Sequence, residues 1–318
     1  MTVAVDLPRL PLVVAPTPLC AAPRLSAELG VEVWLKRDDL TGVGLGGNKV
    51  RGLEYLLADA LRGGCDSLVT GAGPQSNWTV LAALTALGAG LAPHVVCYGA
   101  PPAPSGNLLL HERIGTELHF TGDPERSSVD DGIERVAAEL RAAGHRPYVV
   151  PRGGASPLGA LGYVRATAEL AAQWAEPPGT VWVATGSGGM HAGLAAGAAV
   201  SGAQYAVVGV TVSRPADECR RRVADLAAAA AGLVGARVRP DVVVRDGWLG
   251  PGYGVPSAAG ERAARLVART EGVFLDPVFG AKAMAALIAE RAAVTGPVVF
   301  VVGGGAGTLF AARGGGGS

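Results

Sequence analysis

Charge is scarce in this 318-residue chain, and it is balanced. Only 17% of residues are Asp, Glu, Lys or Arg, and 27 cations face 27 anions, for a formal net charge of zero. Nucleic acids and anionic membranes are held by basic fields, and none is present; a small molecule is the partner that suits this balance. Cysteine is limited to Cys20, Cys65, Cys97 and Cys219. They have no metal-ligand spacing, and Cys65 and Cys97 lie in or beside apolar runs, as free thiols do in a reduced, cytoplasmic protein. His94, His111, His119, His145 and His191 form no His-Glu-x-x-His pattern, so no metal site is expected. The longest apolar stretch, Val80 to Tyr98, is broken by Gly88, Gly90, Pro93 and His94, which excludes a membrane span there. Met1 to Asp6 lack a basic segment followed by a long apolar run, so no signal peptide is read.

What the chain does have is apolar material (49%) and 48 glycines, enough for a large core with tight turns and close helix–sheet packing. The tail 314–318 reads as a flexible linker and stands apart from the fold. After a proline-rich start, strand-like and helix-like segments alternate. Strands are expected at 31–36, 67–70, 94–98, 117–120, 147–150, 180–184, 206–212 and 297–302. Helices are expected near 25–29, 49–61, 78–87, 108–114, 130–143, 190–200, 215–230, 257–270 and 280–292. This alternation implies an α/β fold with mostly parallel sheet covered on both faces. Functional loops then lie beyond the strand C-termini, and the loops there are rich in glycine. Two lobes around one cleft are the simplest arrangement.

Three loops could carry chemistry. Gly46-Gly47-Asn48 leads to Lys49, which opens an amphipathic helix; Val50, Leu53, Leu56, Leu57, Ala60 and Leu61 recur at helical spacing and are expected to share a buried face. The positive helix end and any burial push Lys49 toward the neutral amine, which condenses with aldehydes. A surface lysine starting a helix is the plainer alternative. Thr185-Gly186-Ser187-Gly188-Gly189-Met190 joins a buried strand to a helix and can turn several N–H groups toward a phosphate. It is neither a P-loop nor a dinucleotide fingerprint; a tight turn is the alternative. Gln75-Ser76-Asn77, followed by Trp78, lies at another strand–helix junction and suits a carboxylate, or a simple N-cap. Tyr253 is fixed between Gly252 and Gly254, placed to stack on a ring, to transfer a proton or merely to fill a turn. Asp38 and Asp39 read as a turn or cap, and His191 as a weak candidate for phosphate contact. One lysine, one phosphate cradle and one carboxylate cradle suit pyridoxal phosphate with an amino-acid substrate.

These segments, in this order, resemble the D-cysteine desulfhydrase and 1-aminocyclopropane-1-carboxylate deaminase family, within the fold-type II, tryptophan-synthase-β-like pyridoxal phosphate enzymes. The resemblance runs from about Pro16 to Ala312. It is carried by Pro16-Thr17-Pro18-Leu19, Leu35-Lys36-Arg37-Asp38-Asp39, Gly46-Gly47-Asn48-Lys49, Gln75-Ser76-Asn77, Gly153-Gly154-Ala155-Ser156, the 185–189 loop, Thr211-Val212-Ser213-Arg214, Gly252-Tyr253-Gly254-Val255-Pro256 and Asp276-Pro277-Val278. It implies a two-lobed molecule, with a large cofactor lobe from residues 1–49 and 160–313 and a small lobe from 50–159, usually assembled as a homodimer. It implies that Lys49 binds the cofactor through an imine, that Asn77 bonds the ring hydroxyl and that Thr185 to Met190 take the phosphate. Gln75, Ser76, Asn77, Trp78, Tyr253 and Phe279 would meet the substrate, with Lys49, Ser76 and Tyr253 moving protons.

The departures from the pattern are informative. Phe279 and Gly280 stand where the family has a tyrosine and then a threonine or glutamate. Gly303 replaces a polar residue, Trp78 a usually polar one and Met190 a threonine. Fewer polar groups near the pyridine nitrogen weaken the ring as an electron sink, which disfavours cyclopropane opening more than loss of a good leaving group. The resulting expectation is a pyridoxal-phosphate lyase that removes the α-proton of a small amino acid and eliminates its β-substituent, giving a keto acid and ammonia. The alternatives are β-replacement in specialised metabolism and a catalytically silent binding homologue.

Overall fold

The computed structural model describes residues 5–174 and 178–311; the 314–318 tail lies outside them. Runs rich in valine form most of the strands, and glycine or proline follows most of them where the chain must turn. The chain begins with β1 (Leu19–Ala21), α1 (Pro23–Leu29) and β2 (Val33–Arg37), and α2 (Lys49–Arg62) follows. Next come β3 (Ser67–Ala72), α3 (Asn77–Gly88), β4 (Ala92–Cys97), α4 (Asn107–Arg113), β5 (Glu117–Phe120), α5 (Ser128–Ala142) and β6 (Pro147–Val149). Then α6 (Pro157–Gln173) leads to β7 (Thr180–Thr185), α7 (Gly189–Ser201), β8 (Ala206–Thr211), α8 (Ala216–Leu233) and β9 (Val243–Arg245). Finally α9 (Ala258–Glu271) and α10 (Gly280–Glu290) precede β10 (Val298–Val302).

The strands form two sheets. One has six strands in the order β1-β2-β10-β7-β8-β9, the other four in the order β5-β4-β3-β6. Every pairing is parallel except β1 against β2. Parallel strands need crossovers, and helices supply them, so both sheet faces are buried. The expected α/β architecture of mostly parallel sheets flanked by helices is therefore present.

Three elements went unanticipated: α6, β1 and β9. The helix α6 was hidden by Gly159 and Gly162, which weaken a helical pattern. Its start was nonetheless marked: Ser156 caps it by accepting from Gly159 N at 3.1 Å, and Pro157 occupies its first turn. The glycines serve a crossing. A Cβ on Gly162 would lie 2.2 Å from the Arg51 carbonyl oxygen, and one on Gly52 2.9 Å from that of Gly159, so α2 and α6 meet backbone to backbone. The three-residue edge strands β1 and β9 have too few residues for an alternation to register.

Asp38 also needs correction. It begins a short 3-10 turn, but its role is a buried ion pair. Its carboxylate accepts from Arg51 Nε and Nη2, both at 2.8 Å, from Thr17 Oγ1 at 2.8 Å, and from the Tyr163 hydroxyl. Arg51 also donates to both oxygens of Glu169, which in turn pairs with Lys36. Two buried cations thus meet two carboxylates, and the group ties β2, α2 and α6 together. Burial works against each charge, and the guanidinium overrides it, holding the Asp38 carboxyl low and that of Glu169 down to about 2. Asp39 pairs locally with Arg37 at 2.7 Å, as a turn residue does.

Candidate active site

The loops beyond β2, β3, β7 and β10 open on one cavity of about 840 Å³, lined among others by Lys49, Ser76, Asn77, Gly186 to His191, Tyr253 and Phe279. All four loops leave the carboxyl ends of strands, where ligands of parallel sheets bind.

Lys49 is aimed by its neighbours. Gly46 and Gly47 both have positive φ, and a Cβ on Gly46 would meet the Asp39 carbonyl oxygen at 1.8 Å; only glycine fits. Thr41 Oγ1 clasps Gly47, donating to its carbonyl at 3.0 Å and accepting from its N–H at 2.9 Å. Asn48 N donates to Gly303 O at 3.0 Å, fastening this loop to the end of β10. Lys49 is only partly covered because it faces the cavity, yet its amine lies deep, donating to Asn48 Oδ1 at 3.0 Å. Burial lowers its pKa to about 8, against the opposing pull of the Asp276 carboxylate. A smaller cavity of about 40 Å³ borders Lys49 and also Ser187, Gly189 and Met190, so the amine and the glycine loop share one space.

That loop is built for an anion. Gly188 takes φ +99°, and α7 starts at Gly189 with no side-chain cap on its first amides, which helix geometry leaves unpaired. The carbonyls are turned away and occupied: Thr185 O accepts from Val212 N, Gly186 O from Ser213 Oγ, Ser187 O from Arg222 Nε and Gly188 O from Ala192 N. Arg222 lies in a positive field, its pKa lowered by burial and then by Arg214. Uncapped amides at a helix N-terminus, backed by a guanidinium, are suited to a phosphate monoester. Met190 replaces a hydroxyl with a thioether, whose Sδ accepts from Asn48 Nδ2 at 3.5 Å. His191 lies beneath the loop, its Nδ1 3.2 Å from Thr185 Oγ1, and burial lowers it to about 4, so it stays neutral.

At α3 the N-cap expectation is realised: Ser76 Oγ accepts from Trp78 N at 3.2 Å. Its hydroxyl proton remains free to donate elsewhere. Asn77 Oδ1 accepts from Asn107 Nδ2 at 2.8 Å, which leaves the Asn77 Nδ2 group to donate. Gln75 is engaged at both ends, donating to Ser105 O at 3.0 Å and accepting from Asn107 N at 2.9 Å. Its amide therefore positions the 105–107 segment at the cavity rim. Trp78 lines the cavity with one side and the small-sheet core with the other, its indole N–H on Thr70 Oγ1 at 2.9 Å.

Tyr253 and Phe279 meet edge to face, with centroids 6.2 Å apart, and the Arg126 guanidinium lies over the tyrosine ring at 3.7 Å. Burial raises the phenol, so Tyr253 stays protonated. Gly280 and Gly303 line the cavity without a side chain, as the sequence departures imply; the hydroxyl-bearing Thr308 lines it too.

Several residues escaped sequence reasoning. Asp276 was seen only as part of a motif. Its carboxylate accepts from Val278, Phe279 and Gly280 N–H at 3.0, 2.7 and 2.8 Å, capping α10, and it is the charge that acts on Lys49. Its spacing before a helix start was a usable signal. Lys282 is fully buried and donates to Leu249 O at 2.6 Å and Gly252 O at 3.1 Å, pinning the loop that presents Tyr253. Arg126, Asn107 and Arg222 approach from distant segments and gave no linear signal.

Known proteins share the sequence and the fold. D-cysteine desulfhydrase of Salmonella choleraesuis (strain SC-B67) is 44% identical, over 96% of each chain, and that of Salmonella paratyphi C (strain RKS4594) is 43% identical over the same shares. The solved structure of an ACC deaminase homologue superposes with a TM-score of 0.92 at 36% identity, covering 96% of this chain and 94% of that one. A fungal L-serine ammonia-lyase from Rhizomucor miehei shares the fold, with a TM-score of 0.68 at 21% identity over 92% of this chain and 94% of its own. A profile described as pyridoxal-phosphate dependent enzyme matches residues 10–304. With that span of agreement, and with a deep amine beside an uncapped glycine loop, the chain belongs to the pyridoxal-phosphate dependent enzyme family.

Proposed function

We propose that this chain is a pyridoxal-phosphate lyase that eliminates the β-substituent of a small amino acid, with D-cysteine as the leading substrate. The carrying observation is the Lys49 amine, with a pKa near 8, on the same cavity as the α7 amides. The desulfhydrase relatives support the choice of substrate.

Residues Thr185 to Met190 would hold the cofactor phosphate, Lys49 its carbonyl carbon and Asn77 its ring hydroxyl. When bound, pyridoxal phosphate supplies an electrophilic carbon for amines and a ring that accepts the electron pair left at the α-carbon. The free amides at the start of α3, with Ser76 and Asn77, orient the substrate carboxylate. The Lys49 amine, neutral above about pH 8, takes the α-proton. The protonated Tyr253 phenol and the Ser76 hydroxyl are the donors facing the departing thiol. Trp78, Leu275, Phe279 and Val301 give the cavity an apolar wall. That wall also favours a second reading, β-replacement, in which an added nucleophile outcompetes water.

We further assign residues 1–49 and 160–313 to a large lobe and 50–159 to a small one, because β3 to β6 fall within the latter. A cytoplasmic homodimer is the proposed state; the four cysteines are free thiols. Among the described residues no helix is long and apolar enough to cross a membrane.

The test is to load the purified protein with pyridoxal phosphate and supply D-cysteine, L-cysteine, β-chloroalanine and 1-aminocyclopropane-1-carboxylate separately. Pyruvate, ammonia and sulfide from D-cysteine are the expected products. A substituted amino acid formed in the presence of a second thiol would favour replacement. A lasting spectral shift without product would identify a silent binder.

A further inference from the structure

A second cluster of ligating groups lies away from the cavity, at the edge of the four-stranded sheet. The parallel register pairs His94 of β4 with Glu117 of β5, and Val96 with His119. Positions two apart on a strand share a face, so His94, Glu117 and His119 project together, 25 residues apart in the chain at most. His94 Nδ1 is 3.3 Å from His119 Nε2 and 3.4 Å from Glu117 Oε2, and His119 Nε2 is 3.7 Å from Glu117 Oε1. The two rings stack at 5.6 Å with 24° between their planes. The two imidazoles are mostly covered and the carboxylate is exposed, with side-chain exposures of 9%, 19% and 63% for His94, His119 and Glu117. The site is thus formed on its inner side and open to solvent on its outer side.

The separations of His94 Nδ1 from His119 Nε2 and from Glu117 Oε2 match edges of a coordination tetrahedron, while His119 meets the other carboxylate oxygen. Ligand atoms bound at 2.0–2.2 Å to a tetrahedral centre lie about 3.3–3.6 Å from one another. Two imidazole nitrogens and a carboxylate are the donor set of zinc and its neighbours, whereas calcium and magnesium take oxygen shells. We propose that His94, Glu117 and His119 form a binding site for a divalent transition metal of the zinc type, with the fourth position left to water. Arg135 and Glu139 of α5 also act on His119 electrostatically; they pair with each other at 2.8 Å. Among the described residues the edge strand β5 pairs with β4 alone, so the metal would bridge the outermost strand to its neighbour. Linear spacing hid the site, because its ligands come from two strands joined by a helix.

Zn²⁺ titrated into the tag-free, pyridoxal-phosphate-loaded protein in thiol-free buffer tests this. The expected result is one equivalent bound, a raised melting temperature and, with Co²⁺ as substitute, the visible bands of a tetrahedral centre. His119→Ala should weaken Zn²⁺ binding at least about tenfold, and Glu117→Gln, at an exposed position where folding is not at stake, about tenfold. His145→Ala and Cys20→Ser, which change other exposed ligating groups, should leave it unaltered. Absence of binding, or equal binding by the wild type, His119→Ala and Glu117→Gln, overturns the proposal.

Discussion

At the residue scale, the behaviour of the chain turns on one amine. Lys49 differs from a surface lysine in its depth, and depth is what lowers its pKa to about 8 from an ordinary 10.5. The neutral amine is the reactive form, so the rate of imine formation with added pyridoxal phosphate should climb with pH and level off above about 8. A surface lysine would keep gaining to about 10.4. Stopped-flow absorbance between pH 6 and about 10 reads the midpoint directly. Lys49→Ala should abolish the borohydride-trapped adduct seen by mass spectrometry; an unchanged yellow adduct would refute the assignment. Gly305→Ala gives a steric test. An added Cβ would approach Asn77 Nδ2 at 2.3 Å, on a residue with φ +102°. Displacement of Asn77 should weaken cofactor binding by about tenfold or more, a loss of about 1.4 kcal/mol, measured by fluorescence titration.

At the element scale, α2 is held from behind by charge. The Lys36, Asp38, Arg51 and Glu169 group fixes its first turn two residues beyond Lys49, so it is the support on which the amine is aimed. Removing one partner leaves buried charge uncompensated. Glu169→Gln should therefore cost about 3–5 kcal/mol in denaturant unfolding. The pH dependence has a definite sign. Because folding depresses the Glu169 pKa from 4.5 to about 2, its contribution is complete above about 4.5 and is lost as the pH falls from there toward 2. The variant should lack that part of the acid slope. Lys282 plays a similar part for the Tyr253 loop; Lys282→Met removes two hydrogen bonds to its carbonyls and should raise KM more than it lowers kcat. Elements were legible in the sequence where periodicity was strong, as in α2 and α9, and in β5, whose four residues were read without error. They were not legible where glycine serves packing rather than turning, as in α6.

At the scale of the whole molecule, the two sheets face one cavity, and a ligand that bridges them stabilises the folded state alone. Cofactor at a hundredfold excess over its Kd should add about 2.7 kcal/mol to stability, visible as a concentration-dependent melting temperature. The Arg126 guanidinium comes from the segment before α5, beside the four-stranded sheet, and Tyr253 from the loop after β9, beside the six-stranded one. Their contact reaches from one sheet's side to the other at Tyr253, which lines the cavity.

The sequence by itself determined the α/β class, the glycine loops at the strand ends and the candidates Lys49, Ser76, Asn77 and Tyr253. Those features rest on local chemistry: hydrophobic period, helix starts and the backbone freedom of glycine. Only the tertiary structure decided that Asp38 is a buried partner of Arg51 rather than a cap, that Gln75 is committed to the 105–107 segment, and that His94, Glu117 and His119 share one face. Burial and convergence bring together groups from remote parts of the chain, and both the pKa of an amine and the meeting of ligands depend on that environment rather than on order along the chain.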